Sequence, residues 1–417
     1  MKKFLSVLLS IFTLSFTFAQ TLSPAKPEDA GMSSERLSRI DNVVNEYIAK
    51  KWIPGAAVLI ARNGKIVFYK AYGINDPSKQ NPLKKDDIFR IASQSKAITS
   101  TAVMMLYEEG KLLLDDPLFK YIPEFKNAKV LASFNEKDSS YTSTPAKSEI
   151  TIRQLLTHTS GIDYAVIGSK ELRAIYAKAK VPSGIGTPMD NLGEKMRILG
   201  SLPLKHQPGE HFTYGLNSDV LGYVVEVISG MSFNDFLRKR IFEPIGMNDT
   251  YFYLPREKQN RLTTLYEEKS GQLLKVLPMK DRNPDFPNEA GTYYSGGAGL
   301  SSTVEDYARF LQMYLNGGIY NGNRILGRKT IELMLTNQID DSDGTQFGLG
   351  FGLETPKNDK GSPKSIGSFS WGGYFNTTYW ADPKEKIVGL IFKQIVPTSH
   401  GDLDSKFEEL VYQAIID

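Results

Sequence analysis

Phe89-Arg90-Ile91-Ala92-Ser93-Gln94-Ser95-Lys96 sets a serine and a lysine three residues apart at the entrance to a helical pattern. Residues three apart on a helix share a face, so the Ser93 hydroxyl and the Lys96 amine can meet. A serine at a helix N-terminus also gains from the helix dipole and from free backbone N–H groups able to hold an oxyanion. Ser93 is therefore a candidate nucleophile and Lys96 its candidate partner. The spacing alone is not selective. Ser23-Pro24-Ala25-Lys26 repeats it near the N-terminus, and a helix cap followed by a solvated lysine accounts for most such motifs. Context separates the two. From Ser95 to Glu109 the residues Ala97, Ile98, Ala102, Val103, Met105 and Leu106 are apolar nearly all round, the profile of a buried helix. A lysine one turn into such a helix is forced inside, where burial favours the uncharged amine that a base requires.

Outward from this stretch, strands and a helix occur at both ends of the chain. Leu37, Ile40, Val44, Tyr47 and Ile48 predict an amphipathic helix over 34–50, stopped by Pro54-Gly55. Runs at 56–61 and 66–72, joined through Asn63-Gly64, predict a hairpin. Strand patterns return at 347–353, 365–371, 377–381 and 387–393, and a last helix covers 403–416. The middle reads as helix and loop, with periodic segments near 151–158, 170–180, 218–229, 233–242, 303–316 and 328–336. Polar stretches at 134–149 and 355–365 read as exposed loops. The predicted class is α/β of the α+β type: an antiparallel sheet flanked by terminal helices, with an inserted mostly helical lobe. The sheet lobe takes 30–92 plus 345–417 and the helical lobe 93–344, within one domain over 20–417. A cleft is expected where the lobes meet, with the segment 163–207 shaping it.

Residues 1–19 read as an export signal. Lys2 and Lys3 precede an apolar run from Phe4 to Phe18, and Ala19 ends a small-residue cleavage pattern. The run is too short and too interrupted for a comfortable membrane span, so no stable membrane insertion is expected after cleavage. The expected location is periplasmic or secreted. Without that segment 48 basic side chains face 47 acidic ones, which gives no electrostatic reason to expect nucleic acid. The absence of cysteine excludes a disulfide framework and a thiol nucleophile. His158, His206, His211 and His400 have no metal-ligand spacing, and neither a metal nor another cofactor is implied.

Three further sites bear on the chemistry. Tyr214 follows Pro208-Gly209-Glu210 and precedes the helical start at Asp219-Val220-Leu221-Gly222; a phenol near the Ser/Lys pair can relay a proton. Trp371-Gly372-Gly373 ends a predicted strand, and paired glycines there mark close backbone approach or an edge bulge. Gly296-Gly297-Ala298-Gly299 is a second close-approach candidate. It lacks the strand-turn-helix context of a phosphate-binding loop.

The segment 89–96 resembles the nucleophile region of the serine β-lactamase-like hydrolases, which include class C β-lactamases, D-alanyl-D-alanine carboxypeptidases and related esterases. The likeness continues in order through Gly110-Lys111 to Pro117, Leu155 to Gly161, Phe242 to Met247 and Gly299-Leu300 to Asp306, over about residues 30–415. It implies Ser93 as nucleophile, Lys96 as partner and Tyr214 as base and acid. It implies an oxyanion hole from the backbone N–H groups of Ser93 and Tyr374, and it puts Trp371-Gly372-Gly373 where the family carries a K-T-G-like triad. Two departures point to the esterase-like branch. Asn217 stands one place later than in a Y-x-N motif, and Trp371 replaces a lysine that would hold an anionic substrate. The expected substrate is a small neutral ester or amide, with Tyr164, Trp371, Gly372, Gly373, Phe375 and Asn217 as candidate substrate contacts. β-Lactamase or carboxypeptidase activity is the alternative, and a non-catalytic β-lactam sensor a third reading. His158 is expected to be a satisfied core histidine.

Overall fold

The strand Gly55–Arg62 is buried along its whole length, which a strand reaches only between two covering layers. Ala56, Val58 and Ile60 face one side; Ala57, Leu59 and Ala61 face the other. The computed structural model describes residues 21–76, 80–279, 283–339, 344–359 and 361–417; the expected export signal lies outside them. In the main sheet Gly55–Arg62 pairs antiparallel with Lys65–Asp76 through the expected turn at Asn63-Gly64. Its other edge pairs antiparallel with Ile387–Phe392, in register from Ile387 opposite Arg62 to Phe392 opposite Ala57. Thr377–Asp382, Phe369–Gly373 and the short Gly352–Leu353 complete that side. All these neighbours run antiparallel, and the Ser23–Pro24 edge strand alone is parallel to its partner. The expected sheet built from both ends of the chain is thus observed. The second S-x-x-K motif is spent on that edge strand.

The terminal helices Arg39–Ala49 and Asp402–Tyr412 cover one face, packing Ile40, Val44, Tyr47, Phe407 and Val411 on Val58, Ile60, Ile391 and Trp380. The other face carries Val304–Leu315, and beyond it Ser95–Glu108 packs against Asn217–Ser229. There one continuous apolar cluster runs from Leu59 and Leu390 in the sheet to Leu221 and Phe233 in the middle of the chain. The two lobes therefore share one apolar core.

The middle is less purely helical than its sequence suggests. Lys129–Phe134 pairs with Tyr141–Pro145, inside the stretch read as an exposed loop, and Tyr266–Lys269 pairs with Gln272–Lys275. These hairpins bury little on either face, so they lack the apolar alternation that reveals a strand. Within 163–207, Lys170–Lys178 forms as expected and Leu192–Gly200 is an added helix. The strand expected over 347–353 shrinks to Gly352–Leu353.

Trp380 is the largest fully buried side chain, and it lies on the face away from Ser93. Trp380→Ala should lower the unfolding free energy by about 3–5 kcal/mol, measured by urea denaturation. The fluorophosphonate reactivity of the remaining folded protein should stay at the wild-type level.

Candidate active site

Ser93 sits on a short 3-10 turn, Ala92–Gln94, that runs into the buried helix Ser95–Glu108. Ala92, directly before it, has a left-handed φ of 42°, a conformation that costs a non-glycine residue about 1 kcal/mol or more. Its surroundings hold it there. The Ile91 N–H donates to the Leu300 carbonyl (3.0 Å), the Leu300 N–H to Ser95 Oγ (3.1 Å), and the Tyr307 hydroxyl to the Gln94 carbonyl (2.9 Å). From the sheet side, Gly373 lies so close that a Cβ on it would stand 2.4 Å from the Ile91 carbonyl oxygen. Of the glycine pair after Trp371, Gly373 thus permits the expected close approach, whereas a Cβ on Gly372 would meet nothing nearer than 3.4 Å. The approach at Gly373 brings Tyr374 to the same cavity wall as Ser93.

Lys96 is 2% exposed. Its Nζ lies 3.5 Å from Ser93 Oγ, and it donates more closely to the Tyr164 hydroxyl (2.9 Å) and the Gly297 carbonyl (2.7 Å). It also stands 4.4 Å from the centre of the Tyr214 ring. Burial by itself drives the ammonium toward the neutral amine. Attraction to the oxygens of Tyr164 and Tyr214 and the hydrogen bonds to them outweigh burial, so the pKa lies above the ordinary lysine value. That direction runs against the expectation of an amine kept uncharged by dehydration and favours the ammonium. Tyr164, read from sequence as a pocket wall, is its nearest side-chain partner. Burial raises the Tyr164 phenol above the ordinary tyrosine value, against the pull of Lys96.

Tyr214 and Trp371 meet across the cleft. The Trp371 indole N–H donates to Tyr214 Oη (3.3 Å), and the ring is backed by Phe347 with centroids 5.2 Å apart. Trp371, Gly372 and Gly373 are not among the described residues lining the cavity at Ser93, so the expected substrate contacts there are not observed. Asn217 turns away from it altogether. It is fully buried, and its amide oxygen accepts from the Ser160 hydroxyl while its Nδ2 donates to His158 Nδ1 (2.9 Å). Shifting asparagine one place along the chain carries it to a different face of the helix start, where it orders the 157–161 segment.

The cavity holds about 590 Å³. Ser93, Tyr164, Tyr214 and Ala298 form its reactive end, and Ile185, Leu265, Phe286 and Phe375 its apolar wall. Val166, Ile167 and Tyr374 stand at its rim, more than half exposed. Sequence reasoning missed Ile185, Leu265 and Phe286, which come from irregular segments with no periodic signal. Arg90 fixes part of that wall. Fully buried, it donates to the carbonyls of Pro284 (2.6 Å) and Thr263 (2.7 Å) and pairs with Asp285. Burial pulls its guanidinium down to about 10, against the attraction of Asp285.

His158 is buried, and burial with the nearby Lys96 charge holds its pKa well below the ordinary histidine value. In the unfolded chain it takes up a proton near pH 6.5, whereas the folded imidazole stays neutral. Its contribution to stability is therefore complete above that pH and is lost as pH falls toward the folded value, by up to about 1.4 kcal/mol per pH unit. Urea denaturation at pH 7 and pH 5 should show a smaller difference for His158→Gln than for the wild type.

Residues 40–413 match the family model described as Beta-lactamase. Rv1367c of Mycobacterium tuberculosis is 32% identical over 361 residues, which span 83% of this chain and 86% of that protein. Esterase EstB of Burkholderia gladioli is 28% identical over 397 residues, which span 90% of this chain and 95% of the esterase. Of solved structures, EstCE1, described as a hydrolase with promiscuous acyltransferase activity, has 25% identity and a TM-score of 0.78, covering 91% of this chain and 99% of its own. Matched from its first long helix to its last, the chain belongs to the beta-lactamase family of serine hydrolases.

Proposed function

We propose that this protein hydrolyses neutral carboxylic esters bearing a large apolar group, through an acyl-enzyme on Ser93. One observation carries the choice of substrate: no charged side chain occurs among the described residues lining the cavity beside Ser93. An anionic β-lactam or peptide carboxylate left there without a partner is strongly disfavoured. An apolar acyl or alcohol group instead covers Ile185, Leu265, Phe286 and Phe375, in a space of the size that encloses drug-sized ligands. The resemblance of the chain to an esterase, EstB, supports the same reading.

In this mechanism Ser93 Oγ forms a bond to the ester carbonyl carbon while its proton passes to the oxygen of Tyr214, the base, with Lys96 beside it to offset the charge that develops. The backbone N–H groups of Ser93 and Tyr374 receive the oxyanion. Collapse breaks the ester C–O bond, and Tyr214 returns the proton to the departing alkoxide. Water then attacks the acyl-enzyme, giving its proton to Tyr214, and Ser93 recovers a proton as the acid leaves.

We further propose that residues 1–19 direct export to the periplasm or the medium. N-terminal sequencing of protein recovered from those fractions should then begin at Gln20, and an intact Met1 there would refute it.

Burst kinetics with a chromogenic apolar ester and with a chromogenic cephalosporin test the substrate choice. The ester should turn over faster, and Ser93→Ala should lose about 10⁴-fold or more in rate. Rapid cephalosporin turnover beside a negligible ester rate would place the chain with the β-lactamases. A fluorophosphonate adduct on a serine other than Ser93 would remove the nucleophile assignment.

A further inference from the structure

Behind Ser93 the Lys96 ammonium has a neighbour that the mechanism above leaves unused. Asp219 lies in the first turn of the helix Asn217–Ser229 and is fully buried. Gly297 stands between the two charges. Its carbonyl accepts from Lys96, and a Cβ placed on it would sit 2.5 Å from Asp219 Oδ2 and 3.5 Å from Lys96 Nζ. Any side chain at 297 would wedge the carboxylate and the ammonium apart, so the glycine is what lets them share one pocket of protein interior. The groups facing Asp219 come from three elements. Lys96 approaches from the nucleophile helix and Tyr164 from the loop after Gly161. Tyr293, whose hydroxyl donates to Asp219 Oδ1 at 3.3 Å, and Ser295 approach from the loop before Gly297. Asp190 acts on this set through Tyr293.

We propose that Asp219 is a positioning residue: the counter-ion of Lys96 across Gly297, setting the charge against which the tyrosine oxygens beside Ser93 lose and regain a proton. The proposal rests on Ser93 being the nucleophile. A buried ammonium with only dipoles around it would draw a full negative charge onto the nearest phenol; a carboxylate on its far side shares that pull. Burial pushes the Asp219 carboxyl up to about 6, against the hydrogen bond from Ser295 and the attraction of Lys96. Its negative charge in turn raises the proton affinity of Tyr164. Removing that charge makes the Tyr164 phenol easier to deprotonate.

The test follows the rate of Ser93 modification by a fluorophosphonate against pH, by mass spectrometry on the whole protein. Asp219→Asn keeps the shape and removes the charge, and should move the acid limb of the profile down by about one pH unit. Asp306→Asn removes an almost equally buried carboxylate bonded to the Asp249 N–H and Thr250, away from the site, and should leave the limb in place. An unmoved limb in folded Asp219→Asn overturns the proposal. Should that variant fail to fold, infrared spectra of Lys96→Met decide. Loss of the cation should protonate Asp219 at neutral pH and add a carboxylic acid C=O band absent from the wild type, and no added band refutes the pairing. Failure of Ser93 to react at any pH in the wild type sinks the nucleophile reading instead and leaves the infrared result standing.

Discussion

A cation enclosed in a protein must be met by dipoles or by opposite charge, and around Lys96 that requirement dictates the placing of several separate stretches of chain. Tyr164 supplies an oxygen from the loop after Gly161, Gly297 a carbonyl from the loop before Val304, and Tyr214 a ring face from the start of a helix. None of these stretches is regular where it touches the lysine. The loop bearing Gly297 also reaches the turn of Ser93 through the Leu300 N–H, and the helix Val304–Leu315 reaches it through the Tyr307 hydroxyl.

Seen from that centre, the rest of the molecule divides into a scaffold and a liner. The scaffold is the sheet covered on both faces, whose Phe369–Gly373 strand brings Gly373 against the Ile91 carbonyl. The liner is the irregular wall from Ile185, Leu265 and Phe286, secured by the guanidinium of Arg90. Arg90 and Ser93 are three residues apart, so one short segment both presents the hydroxyl and anchors the surface a substrate would lie on.

The elements that the sequence announces clearly are those that bury one face or both. The hairpin through Asn63-Gly64, the all-apolar helix after Ser95 and the strands at 377–381 and 387–393 each carry an apolar run that burial enforces. The hairpins at 129–145 and 266–275 left no such mark because solvent reaches both of their faces. Within the site, spacing brought Ser93 and Lys96 together, and the glycine pair after Trp371 signalled a close approach. The partners that set the environment of Lys96 leave no local trace in the sequence around it. Tyr164 and Gly297 lie 68 and 201 residues from it along the chain. Asn217 was misplaced for a related reason: a motif shifted by one residue turns about 100° around a helix.

The pairing of Gly55–Arg62 with Ile387–Phe392 has a consequence for how the molecule is made. Arg62 meets Ile387 only after more than three hundred further residues have been synthesised. Until then the central strand lacks a neighbour on one edge, Phe369–Gly373 has not been delivered to the nucleophile turn, and the residues around Ser93 have no scaffold. Loop closure over such a separation is slow. The sheet, and with it the support behind the Ser93 turn, is therefore complete only once the two ends of the sequence have met.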